Sequence, residues 1–186
     1  ETSYPFGDTA LVIIAAAVET SVRLRIPGWA VAATVNGIAA QNGTMWEGRA
    51  AAGVSTYSLA FKPAVRLERW ANGSASVHRG ALMYSLPITP KYTMLAHHFG
   101  TSSMSNDYAL RPSTPWRFAL DADPANLGDS LRHKAATSGP SAAPFNHSGW
   151  ASVIEARLRP LPSWSVVLGS AAAPPESPAC VAPSML

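Results

Sequence analysis

Residues 20–30, Thr-Ser-Val-Arg-Leu-Arg-Ile-Pro-Gly-Trp-Ala, read as a half-buried β-strand that runs into a hard stop. Val22, Leu24 and Ile26 alternate with Arg23 and Arg25, so a pleated backbone sends three apolar side chains to one face and two guanidinium groups to the other. Pro27 removes a ladder donor, Gly28 tolerates turn dihedrals, and Trp29 offers a large apolar surface just past the turn. An antiparallel sheet covered on one side has this pattern.

The same reading extends outward in both directions. Residues 10–18 form a candidate strand rich in β-branched side chains, and 33–35 lead into Asn36-Gly37, the strongest short hairpin signal in the chain; Asn42-Gly43 repeats it. Residues 54–61 place Tyr57, Leu59 and Phe61 on one face, and 64–68 alternate Val65 and Leu67 with Arg66 and Glu68. Residues 74–86 read as two short strands joined or bulged at Gly80. From Pro87 the character changes: Pro87, Pro90, Pro112 and Pro115 interrupt the chain and few clear periods lie between them. Residues 116–120 and 152–158 are the clearest strands there, 135–144 read as a loop, and only 163–168 reads as strand in the Pro-rich end. The expectation is an all-β chain, an antiparallel, jelly-roll-like β-sandwich in two small subdomains, 1–88 and a looser 89–186 that is incomplete at its C-terminus.

Composition narrows the function classes. Charged residues make up 13% of the 186, against about a quarter in ordinary domains, and 16 prolines with 13 glycines favour many short elements over long helices. The net charge is +3, yet the basic residues are scattered and form no stripe that would track a phosphate backbone, which argues against nucleic acid as a partner. The longest apolar run, 10–18, is nine residues, too short for a helical membrane span. The opening at Glu1 lacks a basic start followed by an apolar segment, so the chain reads as a piece of a longer protein. Asn42, Asn72 and Asn146 head Asn-X-Ser/Thr sequons in turn-like settings; they are candidate glycosylation sites and lean toward the secretory pathway or the extracellular space.

No catalytic or metal-binding residue stands out. Asp121 and Asp123 precede Pro124 and read as turn-capping carboxylates, and Asp8 has the same standing. His97 and His98 are neighbours that a strand points to opposite faces, while His78, His133 and His147 are isolated from other ligand-type residues. Cys180 is the single cysteine, so no internal disulfide can form. The six tryptophans are the most suggestive feature, because a flat indole can stack on the C–H face of a sugar ring, though indoles are also common core residues. Trp46, between Asn42-Gly43-Thr44 and Glu47-Gly48, is the one expected to stand exposed on a turn and is the candidate carbohydrate-binding residue.

Particular strings carry a resemblance. Tyr4-Pro5-Phe6-Gly7-Asp8, Leu24-Arg25-Ile26-Pro27-Gly28-Trp29, Val35-Asn36-Gly37 and residues 77–86, VHRGALMYSL, occur in an order that resembles the middle region of β-L-arabinofuranosidase-type glycoside hydrolases, family 127. Residues 108–116, YALRPSTPW, then 155–164 and Pro174-Pro175-Glu176-Ser177-Pro178, resemble later segments of that family, whereas 179–186 does not resemble its closing strand. The resemblance implies an accessory β-sandwich region. Catalysis in that family belongs to an N-terminal (α/α)6 barrel with a cysteine nucleophile near zinc and glutamate partners, and nothing here matches that motif. No catalytic residue and no cofactor are therefore carried over, zinc being expected only in the barrel. The expected partner is that barrel in the same polypeptide; the alternative is an independent carbohydrate-binding module whose exposed tryptophans meet glycan.

Overall fold

The computed structural model describes residues 1–70, 74–100, 106–135, 142–145 and 149–175. The architecture is all-β and antiparallel, built around two facing sheets in the first third of the chain. One contains β1 (Thr9–Ala16), β6 (Gly53–Ala60), β3 (Thr34–Val35) and β4 (Ile38–Ala39) in the order β1-β6-β3-β4; the other pairs β2 (Thr20–Arg25) with β5 (Met45–Ala50). Period-two patterning sets which side chains lie between them. Val22, Leu24 and the following Ile26 point inward as expected, and on β6 Tyr57 and Leu59, with Phe61 just beyond it, are buried. Ala10, Val12 and Ile14 of β1 pack against the same cluster, which also contains Ala30, Ala33, Val35 and Ala50. The outward face is polar, where Arg23 meets its cross-strand partner Glu47 at 2.9 Å, both well exposed, and so contributes little stability.

The turns fall where their chemistry requires. Asn36 and Gly37 both take positive φ, 51° and 78°, closing the two-residue hairpin between β3 and β4. Asn36 is held further by its side-chain Oδ1, which accepts from the Ser58 N–H at 2.8 Å. At Gly80 (φ 60°) the chain turns between β8 (Ala75–Arg79) and β9 (Leu82–Tyr84), which with β7 (Val65–Arg69) form a three-stranded sheet. A Cβ at Gly80 would lie 3.4 Å from Pro63 and 3.6 Å from the Trp29 indole, so the backbone approaches an aromatic group there. Trp29 in turn meets Phe61 edge-on at 5.6 Å and Tyr4 in a stack at 6.4 Å.

Beyond Pro87, every strand pairs only with a strand of the same half. These are β10 (Pro90–His97) with β11 (Asn106–Pro112), β12 (Phe118–Leu120) with β15 (Leu158–Pro160), β13 (Leu131–Ala135) with β14 (Ser152–Ala156), and β16 (Val166–Val167) with β17 (Ser170–Ala171). A single helical turn, α1 (Leu127–Ser130), precedes β13. Burial is sparse: among the described residues of this half only Ala119, Ala122, Ser130, Leu131 and Ala151 are buried. The β10–β11 ribbon corrects the expectation of few clear periods among Pro87, Pro90, Pro112 and Pro115, since it runs from Pro90 to Pro112. Those two prolines face each other at the ribbon's open end, where a missing N–H costs no interior ladder bond. The expectations for most of 135–144 and for 179–186 fall outside the described residues.

Leu59→Ala, at a position 5% exposed, is expected to lower unfolding stability by about 2–5 kcal/mol, while Val54→Ala on the same strand, 73% exposed, should change it by less than about 0.5 kcal/mol. Urea denaturation of the two variants checks this, and equal losses would contradict the assignment of the inward face.

Candidate functional site

Trp46 is not on a turn. It lies in β5, half-buried, with its ring folded over Gly48 so closely that a Cβ there would sit 2.2 Å from the indole. The indole also meets Tyr57 of the facing sheet edge-on at 5.4 Å, and the Tyr57 hydroxyl donates to the Arg49 carbonyl at 2.7 Å. Trp46 thus helps join the two sheets. Its signal was present in the sequence: Trp46, Gly48 and Ala50 alternate with Met45, Glu47 and Arg49, a strand pattern masked by the preceding Asn-Gly-Thr. Of the sequon asparagines, Asn42 is exposed and its amide donates to the Gly28 carbonyl at 3.3 Å, whereas Asn72 and Asn146 lie outside the described residues.

The candidate acidic residues each have a local partner. Asp8 accepts from Arg79 Nη2 at 2.7 Å, Asp121 pairs with Arg159 at 3.0 Å, and Asp123 Oδ1 accepts from the Ala125 N–H at 2.9 Å in an Asx turn. His97 and His98 diverge as strand geometry requires, His97 toward Asn106 and the Gly100 carbonyl, and His98 toward Asp107 at 2.7 Å. The Asn106 side chain, and then the Gly100 carbonyl, raise the His97 pKa above its usual value. Among the described residues no three His, Cys, Asp or Glu side chains converge, so the set offers no metal cage.

A polar cluster on β7 and β8 went unread in the sequence. Ser76 and His78 lie two apart on one face of β8, with Glu68 directly across from Ser76. Trp70 Nε1 donates to Ser76 Oγ at 3.0 Å, and Ser76 Oγ lies 2.8 Å from His78 Nε2. A serine beside an imidazole is the nucleophile–base half of a hydrolytic triad. Here, however, the Glu68 carboxylate approaches the same Nε2, at 3.4 Å, and not the Nδ1 that an orienting acid would hold. The cluster therefore works as a hydrogen-bonded brace across the hairpin. Only the pairing of β7 with β8, which the linear sequence does not display, brings its members together.

Two concave surfaces bear on function. A cleft of about 520 Å³ lies where β9 and the following 85–90 segment face β14, lined by Phe6, Tyr84, Phe145 and Trp150 among others, with no charged side chain among the described residues of its wall. Tyr84 and Ser152 share a 2.6 Å hydroxyl hydrogen bond across it, and Phe6 meets Phe145 at 5.5 Å. An open hollow of about 830 Å³ lies beside the β10–β11 ribbon, between Leu110 and Trp116, Val166 and Ala171. On that ribbon Tyr92 stands opposite Leu110 and Met94 opposite Tyr108, which puts all four on one face; each is exposed, by 41–61%. A bulge at Leu95, itself 68% exposed, ends the alternation.

Comparison of the chain with family models, with curated proteins and with solved structures found no match in any of the three. No helix among the described residues is long and apolar enough to cross a membrane.

His133 lies near the Asp8–Arg79 pair, its Nε2 enclosed and without a hydrogen-bond partner among the described residues. Desolvation first, and the Arg79 charge second, hold its pKa below 6.5, with Asp8 opposing. A pKa lowered by folding means that the unfolded chain takes up the proton first. Stability should therefore fall as the pH drops below about 6.5 toward the lowered folded value, and His133→Gln should remove that part of the slope. Urea midpoints measured between pH 7.5 and pH 5, to about half a unit, test it; an unchanged slope in the variant would assign the effect elsewhere.

Proposed function

We propose that the chain is an accessory, non-catalytic β-sandwich region of a glycoside hydrolase acting on L-arabinofuranosides or related plant-type glycans, and that it braces a helical catalytic barrel carried elsewhere in the same polypeptide. The observation that supports this most directly is the apolar face of the β10–β11 ribbon, where Tyr92, Met94, Tyr108 and Leu110 are all exposed. A two-stranded ribbon has little stability of its own in water, and an uncovered apolar face of this kind marks a docking surface. The hollow beside it, floored by Trp116 and Val166, gives the docked surface a second wall. The order of family-like strings along the chain is what favours a catalytic barrel as the partner, and the local pairing of Asp8, Asp121 and Asp123 is compatible with an accessory role.

The isolated chain should self-associate through this face. Light scattering is expected to show oligomers and an apolar dye to bind, and the double variant Tyr92→Ser, Leu110→Ser should shift the chain to monomer with its circular dichroism unchanged. A monodisperse wild-type monomer that leaves the dye dark would refute the docking role. Reading the transcript upstream of Glu1 tests the partner itself, which should encode a helical barrel bearing the nucleophile.

A further inference from the structure

The cleft beneath β9 is a built site. Its walls come from parts of the chain far apart in sequence and are tied together: Tyr84 of β9 bonds to Ser152 of β14 at 2.6 Å, and Phe6 packs on Phe145. The 85–90 segment that forms the rim is itself clamped. The Thr89 N–H donates to Thr114 Oγ1 at 3.0 Å, and the Thr89 carbonyl accepts from the Ser113 N–H at 2.8 Å and from Ser113 Oγ at 2.9 Å. The Tyr84, Ser152 and Thr89 positions are thus held before anything binds, which limits the ordering cost of association there. A volume of about 520 Å³ lies within the range of small-molecule sites.

The chemistry of the wall selects the occupant. In a chain of net charge +3, none of the described side chains lining the cleft is charged, so among them an anion or cation would find no counter-charge for its lost hydration. Trp150, 44% exposed, and Phe145, 76% exposed, offer ring surface to solvent at its mouth. Ser85, Thr89, Ser152 and the Tyr84 hydroxyl supply neutral donors and acceptors beside them. A purely aliphatic ligand would waste those hydroxyls, and a strongly polar one would waste the aromatic surface. A neutral ring with one C–H face and a hydroxyl rim matches both.

We infer that this cleft binds a neutral sugar unit, stacked on Trp150 and hydrogen-bonded near the Tyr84–Ser152 pair. The inference deepens the glycosidase reading and rests on it for the biological source of the glycan, whereas the ligand chemistry rests on the wall. The bound unit would belong to a polymer held against the accessory region, away from any bond cleavage.

The 186-residue chain should be titrated with arabinotriose, xylotriose and cellotriose, with a galacturonic acid trimer as the charged control, following tryptophan fluorescence and heat. At least one neutral sugar should saturate a fluorescence change, Trp150→Ala should weaken it about tenfold or more, and Tyr84→Phe should weaken it severalfold, the circular dichroism of both variants matching wild type. The charged trimer should bind far more weakly. Absence of any response at about 10 mM neutral sugar, equal binding of the charged trimer, or binding that survives Trp150→Ala intact would each overturn the site. The bracing role is read separately, from the ribbon variants, so either can fail alone.

Discussion

The meeting of two sheets over one shared apolar layer is the constraint from which the rest follows. Ile26 and Val35, the largest side chains sealed from solvent, sit at the ends of strands in different sheets, and the side chains around them come from β2, β3, β5 and β6 together. No one strand can bury its inner face without the opposite sheet, so the alternation of Val22, Leu24 and Ile26 has meaning only because Tyr57, Leu59 and Phe61 alternate in step. Trp46 and Tyr57 lock this register from the side. The aromatic group of Tyr4, Trp29 and Phe61 then gives the β8–β9 turn a surface to lie on, which a side chain at Gly80 would crowd.

The first half was largely legible in the sequence because its period, turn chemistry and burial agree. Residues 20–26 and 54–61, and the Asn36-Gly37 hairpin, all fall where residue pattern alone places them. The second half was legible only in part. Residues 152–158 and 116–120 contain observed strands, but β10 and β11 hid behind their flanking prolines and the bulge at Leu95, which breaks the two-residue period within the strand. Trp46 was misplaced because turn residues next to it outweighed its own alternation. The polar cluster of Glu68, Trp70, Ser76 and His78 and the cleft at Trp150 were illegible for a different reason. Both depend on which strands lie side by side, and in an antiparallel chain with variable turns that is a property of the register.

Burial, more than apolar content, is distributed unequally between the halves. Both expose apolar side chains, but the first also seals Ile26, Val35, Leu59 and Phe61 in one layer, whereas the described residues of the second bury little beyond Leu131 and leave Tyr92, Met94, Leu110, Phe145 and Trp150 open to solvent. Aromatic and aliphatic side chains on a fixed β-scaffold are more useful for recognition than for cohesion, and the scaffold beneath them is tied to the first half by hydroxyl and aromatic contacts at Tyr84–Ser152 and Phe6–Phe145. The cleft belongs to both halves, and its shape follows from how they are joined.

The division of the second half into separate strand pairs makes cohesion graded along the chain. The amides that join β1 to β6, paired over eight residues and packed on the central layer, are the ones expected to exchange most slowly. Amides along the outer margins of β10 and β11 are shielded by no neighbouring strand among the described residues, so they exchange quickly and offer an added strand from another chain somewhere to zip on. Heat should accordingly loosen the distal ribbons before it reaches the central layer, so that melting proceeds in steps.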